Sequence, residues 1–284
     1  MTAIRPSAAG GGVTRQGFAY LQGLLLRRTG TVLEAGKEYV VAARLHGLAL
    51  AEGFQSVSAL LEGVQTEEES GALHGKVVEA MLNGETSFFR DLYPFEAMRE
   101  VLLPEIIAKR EATRLLHIWC AAAASGQEAY SIAMLLLEHF PQLAGWRIRL
   151  IASDVSETML ARARAGVFNQ IEVNRGLPAR LMLKYFECVG AEWRIHPHLR
   201  QMVEFQHINL AAPWPSLPQM DFIFMRNVLL YFNLETRKTI LTNVSRTLRH
   251  EGYFFLGGGE TTLITDRSFE SVRAGKAVCY RIRK

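Results

Sequence analysis

Five polar side chains stand just beyond apolar runs in this chain. Glu128 follows LLHIWC across a small-residue turn, Asp154 closes IRLIASD, Asn209 follows VEFQHI, and Arg226 with Asn227 follows DFIFM. In a parallel sheet such positions face one crevice at the carboxyl ends of the strands, where ligands bind. Asp154 suits the two hydroxyls of a ribose, and equally a helix start favoured by the dipole. Glu128 lies in Ser125-Gly126-Gln127-Glu128, which fits the S-x-x-E capping box, so it caps a helix, binds a ligand or does both. A guanidinium at Arg226, directly after FIFM, needs partners once buried. Arg90 follows two rings, Phe88 and Phe89, in TSFFRD. Packing of those rings would fix the backbone and aim Arg90; the alternative is a weak surface pair with Asp91. Tyr231, after NVLL, reads as a core tyrosine with its hydroxyl at an edge.

The elements that must position these residues are legible from periodicity. Leu115–Trp119 forms a buried strand, Ala121–Gly126 a turn with almost no side-chain bulk, and Gln127 onward a helix with Ala133, Met134 and Leu137 on one face. A second strand then ends at Asp154. Strand, small turn, helix, strand, acid is the opening of a nucleoside-binding α/β sheet. No G-x-G-x-x-G is present, which favours one nucleoside over a dinucleotide, and a plain βαβ unit packed through small residues is the competing reading. Residues 156–166 predict a helix with Ser156 as N-cap and Gly166 as its stop. A short helix over 178–185, a hairpin around Trp193, strands at 202–210 and 221–227, a helix over 234–249 ended by Gly252, and a strand at 253–257 follow. The tail turns at Ala274 and Gly275 as a terminal hairpin. Upstream, residues 15–82 are expected to be all helical, broken at Gly30, Gly36, Gly53 and Gly63, with Glu67–Glu69 a solvated helix end. A helix from about Tyr93 to Lys109 leads into the sheet.

Composition bounds the function. A 284-residue chain that is 49% hydrophobic and 21% charged is a folded protein large enough for one large and one smaller domain. No apolar run reaches the ~20 residues of a bilayer span, so no membrane insertion is expected. The N-terminal 1–14 stretch lacks the apolar core of a secretory signal and is expected as a flexible tail. The three cysteines are isolated and no histidine has metal-ligand spacing, which points to a reducing cytoplasm and no metal. The net charge of +4 includes no clustered basic stripe, which argues against nucleic acid.

No Ser/His/Asp or Cys/His arrangement can be placed. A carboxylate acceptor, with a pKa near ~4.3, is already nucleophilic at neutral pH, so methyl transfer to it from a sulfonium needs alignment and no general base. Five stretches together, ETSFFRD (85–91), IWCAAAASGQEAYSIAM (118–134), ASD (152–154), INL (208–210) and MRNVLLYF (225–232), resemble the CheR family of chemotaxis-receptor glutamate O-methyltransferases over nearly the whole chain. The resemblance implies an α/β fold: a Rossmann-like, class I S-adenosylmethionine-dependent methyltransferase sheet over 111–284. It also implies a small inserted β-subdomain near 186–203, a linker and helix over 83–110, and an N-terminal helical receptor-recognition domain over 15–82.

By motif, S-adenosylmethionine, and its product S-adenosylhomocysteine, would be held by Thr86, Arg90, Glu128, Asp154, Asn209, Leu210, Arg226 and Asn227. Arg90 and Tyr231 would border the transferred methyl. The implied partner is the cytoplasmic helical bundle of a methyl-accepting chemoreceptor, with Arg44 a candidate contact. A sensor or scaffold that binds S-adenosylmethionine without turnover is the alternative. Three departures stand out: Gly84 where the family has Asn (Asn83 lies one place early), Ala129 for a proline and Ala124 for a small polar residue. The stretch between Phe186 and Val203 is short, which implies no strong tether to a receptor's C-terminal peptide.

Overall fold

The computed structural model describes residues 12–68, 71–263 and 268–283, so residues 1–11 of the expected tail and Glu69 of the acidic run lie outside the described residues. The chain divides into two compact units, Met1–Asn83 and Gly84–Lys284. Among its described residues the first holds four helices, α1 (Arg15–Thr29), α2 (Glu38–Ala51), α3 (Val57–Thr66) and α4 (Ala72–Met81). Thr14 and Ser56 cap α1 and α3 by accepting backbone N–H groups of Gly17 and Ala59, both at 3.1 Å. Gly30, at φ 72°, ends α1 in the left-handed conformation. Leu21, Leu24, Val41, Leu45, Leu60, Leu61 and Val77 share one sealed core. Gly63 is no break: it lies inside α3, where a Cβ would stand 2.7 Å from the Phe54 ring, so its smallness admits the ring.

The second unit opens with α5 (Tyr93–Ala97), a π turn (Met98–Leu102) and α6 (Leu103–Arg110). The expected single helix is thus interrupted just before Pro104, which has no N–H for the regular ladder. Then come β1 (Leu115–Ala121), α7 (Gln127–His139), β2 (Arg147–Asp154), α8 (Glu157–Ala165), β3 (Val167–Asn169), α9 (Gln170–Asn174), α10 (Ala179–Tyr185), β4 (Phe186–Val189), β5 (Glu192–Ile195) and α11 (Pro197–Arg200). The chain finishes with β6 (Val203–His207), β7 (Met220–Phe224), α12 (Leu234–Thr247), β8 (Leu248–Phe255), β9 (Phe269–Ala274) and β10 (Ala277–Ile282).

Seven strands form one sheet in the order β6-β2-β1-β7-β8-β10-β9. The first five are parallel, and the β9–β10 hairpin closes the edge antiparallel. The chain leaves β1 toward β2 and β6, then returns to β7 on the other side of β1. The strand order therefore reverses between β1 and β7, and a crevice opens there at the carboxyl ends. Alternation assigns the two faces. Ile118, Cys120, Phe222, Phe224 and Phe255 pack in one layer with residues of α5, α6 and α7. Trp119, Ile223, Met225 and Phe254 pack in the other with Ile240, Leu241 and Val244 of α12. The hairpin around Trp193 is joined by β3, giving a three-stranded sheet β3-β5-β4 that begins at residue 167, earlier than the hairpin alone implied. The α12 helix stops at Thr247, and Gly252 lies inside β8. A Cβ at Gly252 would stand 3.0 Å from the Asp221 carbonyl oxygen, beside the register shift between Met220 and Phe222.

One acid pins the amino end of the sheet. Asp221 is fully buried in β7 and accepts the His117 N–H of β1 at 2.9 Å and the Arg110 Nε of α6 at 2.8 Å; Arg249 adds an ion pair at 3.4 Å without a hydrogen bond. Removing one member of a buried pair strands the other. Asp221→Ala is therefore expected to lower the unfolding free energy by about 3 kcal/mol, read as a shifted midpoint in urea; an unshifted midpoint would contradict the pairing. Glu138 does a similar task for α7 and α10. Lys184, Tyr185 and Arg180 donate to its carboxylate, and these bonds, Lys184 first, hold its pKa down from 4.5 to about 2. A lowered folded pKa adds stability that is complete above the unfolded value and is lost as pH falls through the folded one. Stability should drop between pH 4.5 and about 2, and Glu138→Gln should flatten that part of the stability–pH curve. An unchanged slope in the variant would mean other acids carry the drop.

Candidate active site

Three corners of chain meet the carboxyl end of the sheet, and each carries backbone that side chains rarely adopt. The first is the loop after β1. Ala122 (φ 55°), Ala124 (φ 47°) and Gly126 (φ 88°) are all left-handed, and for alanine this costs about 1 kcal/mol each. Two outside contacts hold the loop: Ala123 N–H donates to the Ser153 carbonyl at 2.9 Å and Ala124 N–H to Asp154 Oδ2 at 2.8 Å. Asp154 also receives Ser156 N–H on Oδ1 at 2.9 Å. Strain held in place by neighbours at a strand end makes this corner a candidate for function. No capping box forms at 125–128. Gly126 is the N-cap of α7, Ser125 Oγ donates to Gln127 Oε1 at 2.9 Å, and Glu128 points elsewhere.

Glu128 meets Arg226. The guanidinium, with its side chain 2% exposed, donates from NH1 to Glu128 Oε2 at 2.7 Å and from NH2 to Asp91 Oδ2 at 2.6 Å and the Arg90 carbonyl at 2.9 Å. Its flat face lies 6.0 Å from the Phe95 ring centroid. The partners that a guanidinium after FIFM requires are thus two acids and a carbonyl. Asp91 belongs to Arg226 and forms no surface pair with Arg90.

Residues 85–92 form the second corner. Phe88 is fully buried, edge-on to Phe168 at 5.2 Å and Phe186 at 5.7 Å, and its carbonyl lies so close to Gly176 that a Cβ there would stand 2.1 Å away. Phe89 N–H donates to Ser131 Oγ at 2.9 Å. Phe89, Asp91 and Leu92 all have positive φ, at 48°, 64° and 46°. The rings do fix the backbone around Arg90, whose NH1 donates to the Glu85 carbonyl at 3.0 Å. Thr86 is half-buried in the same segment, and Gly84 lies with the Met159 methyl 2.9 Å from where its Cβ would stand. Glu85 is held below the usual carboxylate range by its bond to Arg175.

The third corner follows β7. Asn227 takes a left-handed φ of 60°, and its buried Oδ1 finds no hydrogen-bond partner among the described residues. Tyr231 ends the short turn Leu229–Tyr231. Sequence reasoning missed the residue that orders this corner, Glu260. Its fully buried carboxylate accepts Asn227 N–H at 2.6 Å, Gly257 N–H at 2.9 Å and Leu230 N–H at 3.3 Å. The only signal for it was an acid after GGG beyond a buried strand. At the β6 exit, Asn209 Oδ1 accepts Ala211 N–H at 3.0 Å, and buried Leu210 offers its carbonyl to Trp214 Nε1 at 3.1 Å. Contacts thus unite Arg90, Glu128 and Arg226. Asp154 is tied to the β1 loop, and Asn227 and the Tyr231 turn to Glu260. Asn209 and Leu210 lie at the exit of β6, and Thr86 lies in the 85–92 segment. Arg44, in the helical unit, donates to the Met81 carbonyl.

The donor set suits a nucleoside with a cationic tail. Acceptors dominate it: the Asp154 and Glu128 carboxylates and the unmatched Asn227 Oδ1. Burial holds the Cys120 thiol well above its usual range, which keeps it a poor nucleophile. Among the described residues no cluster of His, Cys, Asp and Glu could hold a metal ion, and no helix is long and apolar enough to cross a membrane.

Comparison with known proteins agrees. Residues 84–278 match the family described as CheR methyltransferase, SAM binding domain. Chemotaxis protein methyltransferase 1 of Pseudomonas aeruginosa is 36% identical over 269 residues, covering 93% of this chain and 97% of that protein. Chemotaxis protein methyltransferase 1 of Vibrio cholerae is 35% identical over 258 residues, covering 89% and 92%. With a matched domain covering more than half of the chain and relatives alike over nearly their whole length, the chain belongs to the CheR family of S-adenosylmethionine-dependent methyltransferases.

Proposed function

We propose that this chain transfers a methyl group to glutamate carboxylates on the cytoplasmic helices of a chemoreceptor, forming methyl esters. The observation that carries the reading is the Arg226 bridge. It ties the 85–91 segment, and so Arg90, to the sheet at the point where strand order reverses.

Bound S-adenosylmethionine supplies a methyl group on a positively charged sulfur. The chain's own residues bind and align. Asp154, anchored by two backbone N–H groups, offers a carboxylate to the ribose hydroxyls, and Glu128 and Asn227 offer acceptors to the cationic amino-acid end. Asn209, Leu210 and Thr86 line the remaining approach. The Arg90 guanidinium, braced on the Glu85 carbonyl, orients the acceptor carboxylate, and Tyr231 borders the methyl. An ionised acceptor has no proton to lose, which matches a site built from fixed acceptors and one aligning cation, with a thiol that burial keeps inert. The helical unit recognises the receptor bundle, and the protein works at the cytoplasmic face of receptor arrays.

The test is transfer of radiolabelled methyl to chemoreceptor-containing membranes, with mild alkali to release esters as methanol. Base-labile label is expected, falling about a hundredfold in Arg90→Ala, within the range lost when an aligning group goes; base-stable label would exclude a carboxylate acceptor. Asp154→Asn should weaken S-adenosylhomocysteine binding at least about tenfold, the equivalent of one charge-assisted hydrogen bond; unchanged calorimetric affinity would remove Asp154 from the ribose site. The β4–β5 hairpin turns through two residues between strands of four, so receptor C-terminal peptides should bind weaker than micromolar. Micromolar titration onto the hairpin would overturn that.

A further inference from the structure

Glu260 has no place in the reading above, yet it is a fully buried acid at the working end of the sheet. Among the described residues its side chain accepts three hydrogen bonds, all from backbone N–H groups, and they come from the exits of both β7 and β8. Oε2 takes two, from Asn227 at 2.6 Å and Gly257 at 2.9 Å, while Oε1 takes one, from Leu230 at 3.3 Å. The exits of β7 and β8 approach closely enough that a Cβ on Gly257 would stand 2.5 Å from Asn227 Nδ2. The carboxylate therefore holds the left-handed Asn227 and the turn that ends in Tyr231 against one point.

The same turn is held from its other side. Arg237 of α12 donates Nε to the Leu229 carbonyl at 2.9 Å and NH2 to the Leu230 carbonyl at 3.4 Å. Leu229 is fully buried beneath it, whereas Leu230 is 45% exposed and adds little anchoring of its own. Within the turn, Leu230 N–H is taken by Glu260 Oε1, Tyr231 N–H donates to the Val228 carbonyl at 3.1 Å, and the Leu229 and Leu230 carbonyls meet Arg237, so the Leu230 end of the turn, next to Tyr231 in the chain, is the part that Glu260 holds.

The geometry points to Glu260 as a positioning residue for methyl transfer, with its two oxygens serving separate tasks. Oε2 sets Asn227 for donor binding, and Oε1 sets the Leu230–Tyr231 turn for the chemical step. This rests on the methyl-transfer reading. The split follows from acceptor counting. An ionised carboxylate is acceptor-only, whereas a carboxamide has one acceptor and one donor end. In Glu260→Gln the amide oxygen settles where two N–H groups converge, because the reverse orientation sets an NH2 against both. The NH2 then faces Leu230 N–H, donor to donor, and only the Leu230 end of the turn that leads to Tyr231 is loosened.

The experiment compares wild type, Glu260→Gln and Glu260→Ala by amide hydrogen exchange in NMR, S-adenosylhomocysteine titration and methyl-transfer kinetics. In Glu260→Gln, Leu230 N–H is expected to exchange at least about tenfold faster while Asn227 and Gly257 stay protected. Affinity for S-adenosylhomocysteine should hold within about threefold, and kcat should fall at least about tenfold. Glu260→Ala should lose binding and kcat together. Unchanged Leu230 exchange in Glu260→Gln, unchanged kcat despite faster exchange, or affinity and kcat falling in step in that variant would each overturn the division of labour. If wild type transfers no base-labile methyl, the functional reading fails, while the exchange data still test the two-oxygen clamp by themselves.

Discussion

The buried Arg226 guanidinium is the constraint around which the catalytic unit is arranged. It enters the site from the end of β7, a strand buried along its whole length, and so cannot reach water for solvation. A charge in that position is tolerable only if its surroundings supply acceptors with good geometry. Glu128 supplies one from the start of α7, and Asp91 with the Arg90 carbonyl supply two from a segment well over a hundred residues upstream. The need of one cation for partners therefore joins three distant stretches of sequence at the place where strand order reverses. Its Nε, buried without a hydrogen bond among the described residues, shows that even this set leaves the group short of full satisfaction.

Backbone strain follows the same map. Non-glycine residues with positive φ occur at Phe89, Asp91, Leu92, Ala122, Ala124 and Asn227 in the three corners of the site, and elsewhere among the described residues only at Arg114. Such conformations persist when surroundings over-determine them, and each corner has its own clamp. Asp154 and Ser153 hold the first, Phe88 in its ring cluster and Ser131 the second, Glu260 the third. Two of the three clamps are carboxylates that accept backbone N–H groups from a neighbouring strand exit. Charge-assisted bonds of this kind are stronger and shorter than neutral ones, which suits loops that must keep an unfavourable conformation without a ligand to hold them.

What could be read from sequence divides by how local its cause is. The order of strands and helices was legible because alternation and helical spacing are local, and the polar strand ends were legible because an apolar run makes the next charged residue conspicuous. The need of Arg226 for partners was legible; their identities were not, since Asp91 and Glu128 are brought in by tertiary packing. Local rules misled where packing overrode them. Ser125–Glu128 has the letters of a capping box, but Gly126 takes the N-cap and Glu128 is drawn to Arg226. Gly63 and Gly252 look like stops, yet each is small because a ring or a neighbouring carbonyl lies where a side chain would be. Glu260 was invisible because nothing in GGGETT announces a buried acid, and its donors are N–H groups, which sequence does not distinguish.

The site's chemistry also explains why its charged groups are so firmly tied. An enzyme that moves protons needs groups whose pKa lies near the working pH and which change state during turnover. The proposed transfer to an ionised carboxylate makes no such demand. The acids that order this site, Asp91, Glu128, Asp154 and Glu260, serve as fixed acceptors for a guanidinium or for backbone N–H groups. Preorganised charges and dipoles lower a barrier only to the extent that they do not relax when the reacting charges change. A buried salt bridge, strained loops and a carboxylate clamped between two strand exits are costly for folding, and what they secure is an environment that stays in place as the positive charge on the methyl donor's sulfur is lost.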